Sequence, residues 1–208
     1  MIRIVGKDLA AIVTPVSMTA DCLRVVEADA RLDEVLDHAA AVARRTGESA
    51  STAAVRTMYK RIGIDPTKTR PSSEALLRRV RKGGQLPRVN NLVDVVNWCS
   101  LESQLPFGLY DHGAVRGDVV LRLGLEGEQY PGIRKDTVHV ANRLVLADEL
   151  GAFGNPTSDS ARTRVTTATT QALVVIFAPP SVDDEIVEGA LRATANRIAL
   201  YCQPGRPG

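Results

Sequence analysis

The sequence predicts an α+β fold on three observations. Helical periodicity fills much of residues 32–103, period-two and continuous apolar patterns dominate residues 119–177, and no regular strand–helix–strand alternation links the two halves. A length of 208 residues with 44% hydrophobic content is enough to bury a sizeable core, so residues 1–208 are read as a single domain without a linker.

In chain order, Ile2–Val5, Ala11–Val16 and Leu23–Val26 read as short strands. Leu32–Arg45 follows as an amphipathic helix with acids early and arginines late, as the helix dipole prefers. Ser49–Ile62 is a second helix, and Gly63–Pro71, with two prolines, is a loop. Ser72 is a natural N-cap for a third helix. Glu74 sits in its first turn, Leu76, Leu77 and Val80 form its apolar side, and Gly83 and Gly84 end it. A fourth helix opens at Asn90 or Asn91 and runs into a tight turn ending at Asp111. Val119–Leu123 alternates as a strand, a loop covers residues 129–137, and a further strand runs through residues 143–149. Small and polar residues fill 151–166, and the apolar run Ala172–Phe177 suits a strand buried on both faces. Residues 181–201 form the clearest helix, with Ser181 and Asp184 as a capping-box-like start.

The fourth helix carries the most functional information. Leu92, Val93, Val95, Val96, Trp98 and Cys99 spread around most of its circumference, whereas Asn90, Asp94 and Asn97 fall in a stripe roughly 60° wide. Such a helix is buried, and a buried polar stripe must find partners, since an unpaired amide or carboxylate costs about 2 kcal/mol or more. Either the stripe caps loops and bonds to backbone groups, or it lines a cleft for a hydrogen-bonding ligand.

Composition removes several classes. Aromatic content of 4% leaves few stacking platforms for single-stranded nucleic acid. Cys22, Cys99 and Cys202 match no metal spacing or redox pair and point to a reducing compartment. With no apolar leader and no run of about 20 apolar residues, a cytoplasmic protein with no membrane partner is expected. No Walker loop, dinucleotide fingerprint, nucleophile elbow or zinc-protease motif occurs, so no cofactor and no metal are expected. His38, His112 and His139 lack an evident partner, so a hydrolase here works by positioning water. Charge is uneven. Between Arg56 and Arg88 ten basic residues face two acids, leaving −6 for the rest of a chain whose net charge is +2. Such a segment suits a phosphate backbone as well as a solvated face, and Arg70, Arg78, Arg79, Arg81, Lys82 and Arg88 are the candidate nucleic-acid contacts.

The stretch NNLVDVVNWCSLESQLPFGLYD, Asn90–Asp111, resembles the NNVVDxTNYVxxExxQPxHAFD signature of the editing module in the beta chain of phenylalanyl-tRNA synthetase, its interleaved third and fourth domains. RPSSEALLRRV and RTRVT, residues 70–80 and 162–166, are closer to free-standing members of that family. The resemblance covers about residues 55–178, with the N-terminal strands and helix and the C-terminal helix packed on that region, and it implies a mixed β-sheet flanked by helices. It also implies hydrolysis of the ester between a wrong amino acid and the terminal ribose of tRNA, an already activated bond that a water-orienting pocket can cleave.

Position by position, Asn97 matches the family asparagine and Pro106 the family proline. Gly108 replaces the family histidine, Val96 replaces a threonine, and Leu173–Phe177 lacks the family's late-strand glutamate. Losing the imidazole is expected to open volume, so that the pocket accepts a larger side chain and separates tyrosine from phenylalanine poorly. The expected pocket set is Asn90, Asp94, Asn97, Gly108, Tyr110, Asp111, Arg134, Asn155, Ser158, Arg162 and Thr163. The arginines suit a carboxylate or phosphate and Asp94 an amino group, or the set is a salt-bridge network. Three functions follow: a trans-editing deacylase acting on mischarged aminoacyl-tRNA, a non-catalytic tRNA or amino-acid binding module, and a binder of an amino-acid-like metabolite. Ester turnover separates the first from the second, and salt-dependent tRNA binding separates both from the third.

Overall fold

A computed structural model describes residues 2–6, 8–133 and 136–204. The fold is α+β. Its centre is strand β9 (Ala172–Ala178), buried at all seven positions, as an apolar run without alternation requires. Strand β2 (Thr14–Ala20) pairs antiparallel along its whole length, from Thr14 opposite Ala178 to Ala20 opposite Ala172. Strand β3 (Phe107–Asp111) takes the other edge, placing Gly108 opposite Val175 and Tyr110 opposite Leu173.

A second sheet is mixed. Strand β1 (Arg3–Ile4) runs parallel to β4 (Val120–Leu123), which pairs antiparallel with β7 (Leu144–Asp148), and β7 pairs with β8 (Gly151–Gly154). A short ladder of β5 (Gln129–Tyr130) and β6 (Val138–His139) stands apart. The helices are α1 (Asp33–Thr46), α2 (Ala50–Arg61), α3 (Ser72–Arg81), α4 (Asn91–Ser103) and α5 (Asp184–Cys202). Helix α4 is central to them. It packs against α1, α3, α5 and β3, and its fully buried Leu92 and Val95 contribute about 1.5–3 kcal/mol each.

Several sequence expectations change. Leu9–Ala11 is a 3-10 turn, so β2 begins at Thr14. Leu23–Val26 is not a strand: Asn91 accepts from Val26 N–H and donates to Arg24 C=O, so a side chain meets the backbone groups that a ladder would otherwise satisfy. The segment after α4 is strand β3, not a tight turn, and residues 151–154, at the start of the small and polar stretch, form β8. Pro71 rather than Ser72 caps α3, with no side-chain bond. Asp183 caps α5 by accepting from Glu185 N–H, in place of Ser181. The expected mixed sheet is β1-β4-β7-β8, and among the described residues the antiparallel β2-β9-β3 ladder and the β5-β6 pair stand beside it.

Candidate functional site

The polar stripe of α4 is mostly structural. Asn90 caps the helix by accepting from Val93 N–H, 2.9 Å. Asp94, 1% exposed, accepts from Arg88 Nε at 2.8 Å and Val89 N–H at 2.9 Å. Burial pushes its carboxyl up, while these two bonds pull it down. Both Asp94 oxygens are engaged by the loop that precedes α4 and Asn90 is engaged as the helix cap, so the partners seen for these two candidates lie within the fold. Asn91, absent from the expected set, holds Val26, Arg24 and Tyr201 backbone groups together. Asn97 is half-buried and makes no side-chain hydrogen bond to a described residue.

A second group gathers at the seam between the two larger sheets. Period-two geometry puts Gly108 and Tyr110 on one face of β3, and the Tyr110 ring lies back over Gly108. A Cβ placed on Gly108 would sit 2.2 Å from the Tyr110 hydroxyl, and one on Gly154 of β8 would sit 2.3 Å from it. The phenol is therefore clamped between two glycines, one from each sheet, with Phe153 edge-on at 4.9 Å. The expected open volume at Gly108 does not exist, because Tyr110 fills it.

The Tyr110 hydroxyl donates to Asp159 Oδ1 at 2.9 Å. Burial pushes the Asp159 carboxyl up to about 7, with the Tyr110 bond acting against it. The residue itself is half-buried. Burial and the neighbouring carboxylate push the Tyr110 hydroxyl well above the usual phenol range. The loop carrying Asp159 is shaped by Asn155, whose Oδ1 accepts from the N–H groups of Thr157 and Ser158, both at 2.8 Å. Asn155 Nδ2 donates to the Tyr130 hydroxyl at 3.0 Å, which donates to Ser158 C=O at 2.6 Å. Tyr59 of α2 and Thr157 share a hydroxyl–hydroxyl bond of 2.7 Å. Of the expected set, Tyr110, Gly108, Asn155 and Ser158 thus come together. Asp159, Tyr130, Tyr59 and Thr157 join them from outside that set, since nothing local marks one carboxylate in a Ser-rich stretch.

The other candidates lie in separate arrangements. Asp111 accepts from Gly113 N–H and Thr169 Oγ1 and so ties down the end of β3. Arg162 forks onto Asp148 at 2.9 and 3.0 Å and lies over Phe153, which makes it a structural pair rather than a free anion receptor. Burial opposes ionisation of Asp148, but the Arg162 fork and the N–H groups of Arg116 and Leu150 together hold it below the usual carboxylate range. Thr163 is fully buried, and its hydroxyl has no partner among the described residues. Arg134 lies outside the described residues.

The basic set also divides. Arg70 and Arg56 share Glu74, and Arg88 is held by Asp94, Asp33 and Asp29 C=O, so Arg70 and Arg88 are engaged by acids of the fold itself. Arg81 pairs with Glu48 at the surface, Arg79 Nε donates to Gln85 C=O, and Arg78 and Lys82 are exposed. Among the described residues no group of three His, Cys, Asp or Glu is placed to hold a metal, and no helix is long and apolar enough to cross a membrane. What the seam offers chemically is a carboxyl that burial raises toward neutrality, held by a phenol.

A family model described as the B3/4 domain matches residues 54–203. The phenylalanine–tRNA ligase beta subunit of Cutibacterium acnes is 34% identical over 106 residues, 50% of this chain and 12% of that subunit. The corresponding subunit of Protochlamydia amoebophila is 34% identical over 87 residues, 41% of this chain and 11% of the subunit. The chain therefore spans a small part of the relatives it matches. A crystallised N-terminal fragment of the phenylalanyl-tRNA synthetase beta subunit from Pyrococcus horikoshii aligns with a TM-score of 0.49 at 14% identity, covering 97% of this chain and 49% of the fragment.

Proposed function

The chain belongs to the B3/4 domain family, and from that premise we propose that it is a deacylase that hydrolyses mischarged aminoacyl-tRNA. The observation that carries this reading is the Tyr110–Asp159 pair, because a carboxyl raised to about 7 is half-ionised at working pH and suited to general base catalysis. In the proposed step Asp159 takes a proton from a water as its oxygen bonds to the ester carbonyl carbon. The tetrahedral intermediate then expels the ribose oxygen, which recovers the proton from Asp159, leaving free amino acid and a free terminal hydroxyl. Tyr110 acts as a positioning residue by holding Oδ1. Proton transfer of this kind supplies about 10²–10⁴ in rate, enough for an activated ester.

The reading takes the whole chain as one unit, since one apolar cluster runs from Ile2 to Cys202. Aminoacyl-tRNA as substrate puts its work in the cytoplasm. A non-catalytic tRNA or amino-acid binding module is favoured by a different observation. Gly108, at the family histidine position, faces Val175 on the strand that lacks the family glutamate, so neither register position carries a proton-transfer group. A panel of mischarged aminoacyl-tRNAs incubated with purified protein decides between the two: ester turnover supports the deacylase, and binding without turnover supports the module.

A further inference from the structure

Helices α1 and α3 end together. Arg44 Nε of α1 donates to Val80 C=O near the end of α3 at 2.9 Å, and Arg81 of α3 pairs with Glu48 just beyond α1. Their last turns, with the residue that follows α3, bring Arg44, Arg45, Arg78, Arg79, Arg81 and Lys82 to one end of the molecule, all exposed. Arginines at helix C-termini commonly answer the helix dipole, but two C-termini present about one negative charge between them. With Glu48 added, six cations exceed the local negative charge by about four. Arg45, Arg78 and Lys82 are exposed and make no side-chain hydrogen bond or ion pair to a described residue.

The opposite end of α3 touches the candidate site, because Ser72 N–H donates to Pro156 C=O at 3.0 Å, three residues before Asp159. Ten residues of helix place the basic end about 15 Å further on. Stacked nucleotides rise about 3.4 Å each, so the length of α3 corresponds to about four nucleotides. Resting on the deacylase reading, we infer that the joined ends of α1 and α3 are the surface that grips the phosphate backbone of the substrate RNA, where its single-stranded 3′ end meets the acceptor helix.

The test compares wild type with the triple variant Arg45→Gln, Arg78→Gln, Lys82→Gln. Arg44 and Arg79 are left in place, since they bond to backbone carbonyls. Binding of full-length tRNA is measured against salt, and hydrolysis is measured on a full-length aminoacyl-tRNA and on the matching aminoacyl-adenosine ester. The inference predicts a salt slope shallower by about 2 to 3, one released counterion equivalent per lost contact. It also predicts a higher KM for full-length substrate with kcat kept, and unchanged hydrolysis of the short ester. An unchanged slope and KM overturn it, and that is also the outcome if the patch serves an acidic protein. If wild type cleaves no ester, the deacylase reading fails by itself, and the tRNA salt slope still decides this surface.

Discussion

The Tyr110 hydroxyl donates to Asp159 Oδ1 across 2.9 Å, joining the edge strand of one sheet to the loop that leaves the other. The bond stabilises the ionised carboxyl, so removing it raises an already raised group. Tyr110→Phe is predicted to cost roughly 1–3 kcal/mol, the penalty of a buried acceptor without its donor, as read by urea unfolding. The pH midpoint of any ester hydrolysis shifts upward in the same variant.

Asp159 also makes stability depend on pH. Its folded value of about 7 lies above the ordinary value of 3.8, so between these two the folded state holds more protons than the unfolded state. The stabilisation is fully present below about 3.8 and is lost as pH rises through about 7. Asp159→Asn, which keeps an acceptor for Tyr110, is expected to flatten this decline. Thermal melts of both proteins from pH 4 to 8 check it, and parallel curves would contradict it.

Gly108→Ala is predicted to destabilise by roughly 1–3 kcal/mol, because the added carbon meets a ring that is 0% exposed and wedged against Gly154. Gly108→His is expected to fold worse still rather than recover a histidine-lined pocket. A Tm for either variant equal to wild type would show that Tyr110 can swing away.

Arg88→Gln separates structure from recognition. It leaves the Asp94 carboxyl buried without its cation, at a cost of about 3 kcal/mol. Below the melting transition its tRNA affinity and salt slope should match wild type. A lost slope with an unchanged melting temperature would return Arg88 to the RNA surface.

The sequence announces those parts of the fold whose causes are local. The apolar run of β9 and the Asn90 cap of α4 could be read because burial on two faces and a cap leave their mark within a few residues. Even the Asp94 partners, Arg88 and Val89, sit within one or two turns of it, so that pairing was within reach of the sequence. Tyr110 and Asp159 are 49 positions apart, and only the packing of two sheets brings them together. Gly151–Gly154 is hidden in a small and polar stretch because glycine is poor in strands, yet Gly154 is there to admit the Tyr110 ring. Leu23–Val26 has strand composition, but the Asn91 side chain holds its backbone.

Single-turnover hydrolysis of one mischarged aminoacyl-tRNA, followed from pH 5.5 to 8.5 by wild type and Asp159→Asn, decides whether Asp159 is the base. The wild-type rate is expected to climb to a plateau through about pH 7, and the variant, with tRNA binding retained, to be slower by about 10² or more and to lack that step. Equal rates and the same pH profile in the two proteins would contradict it.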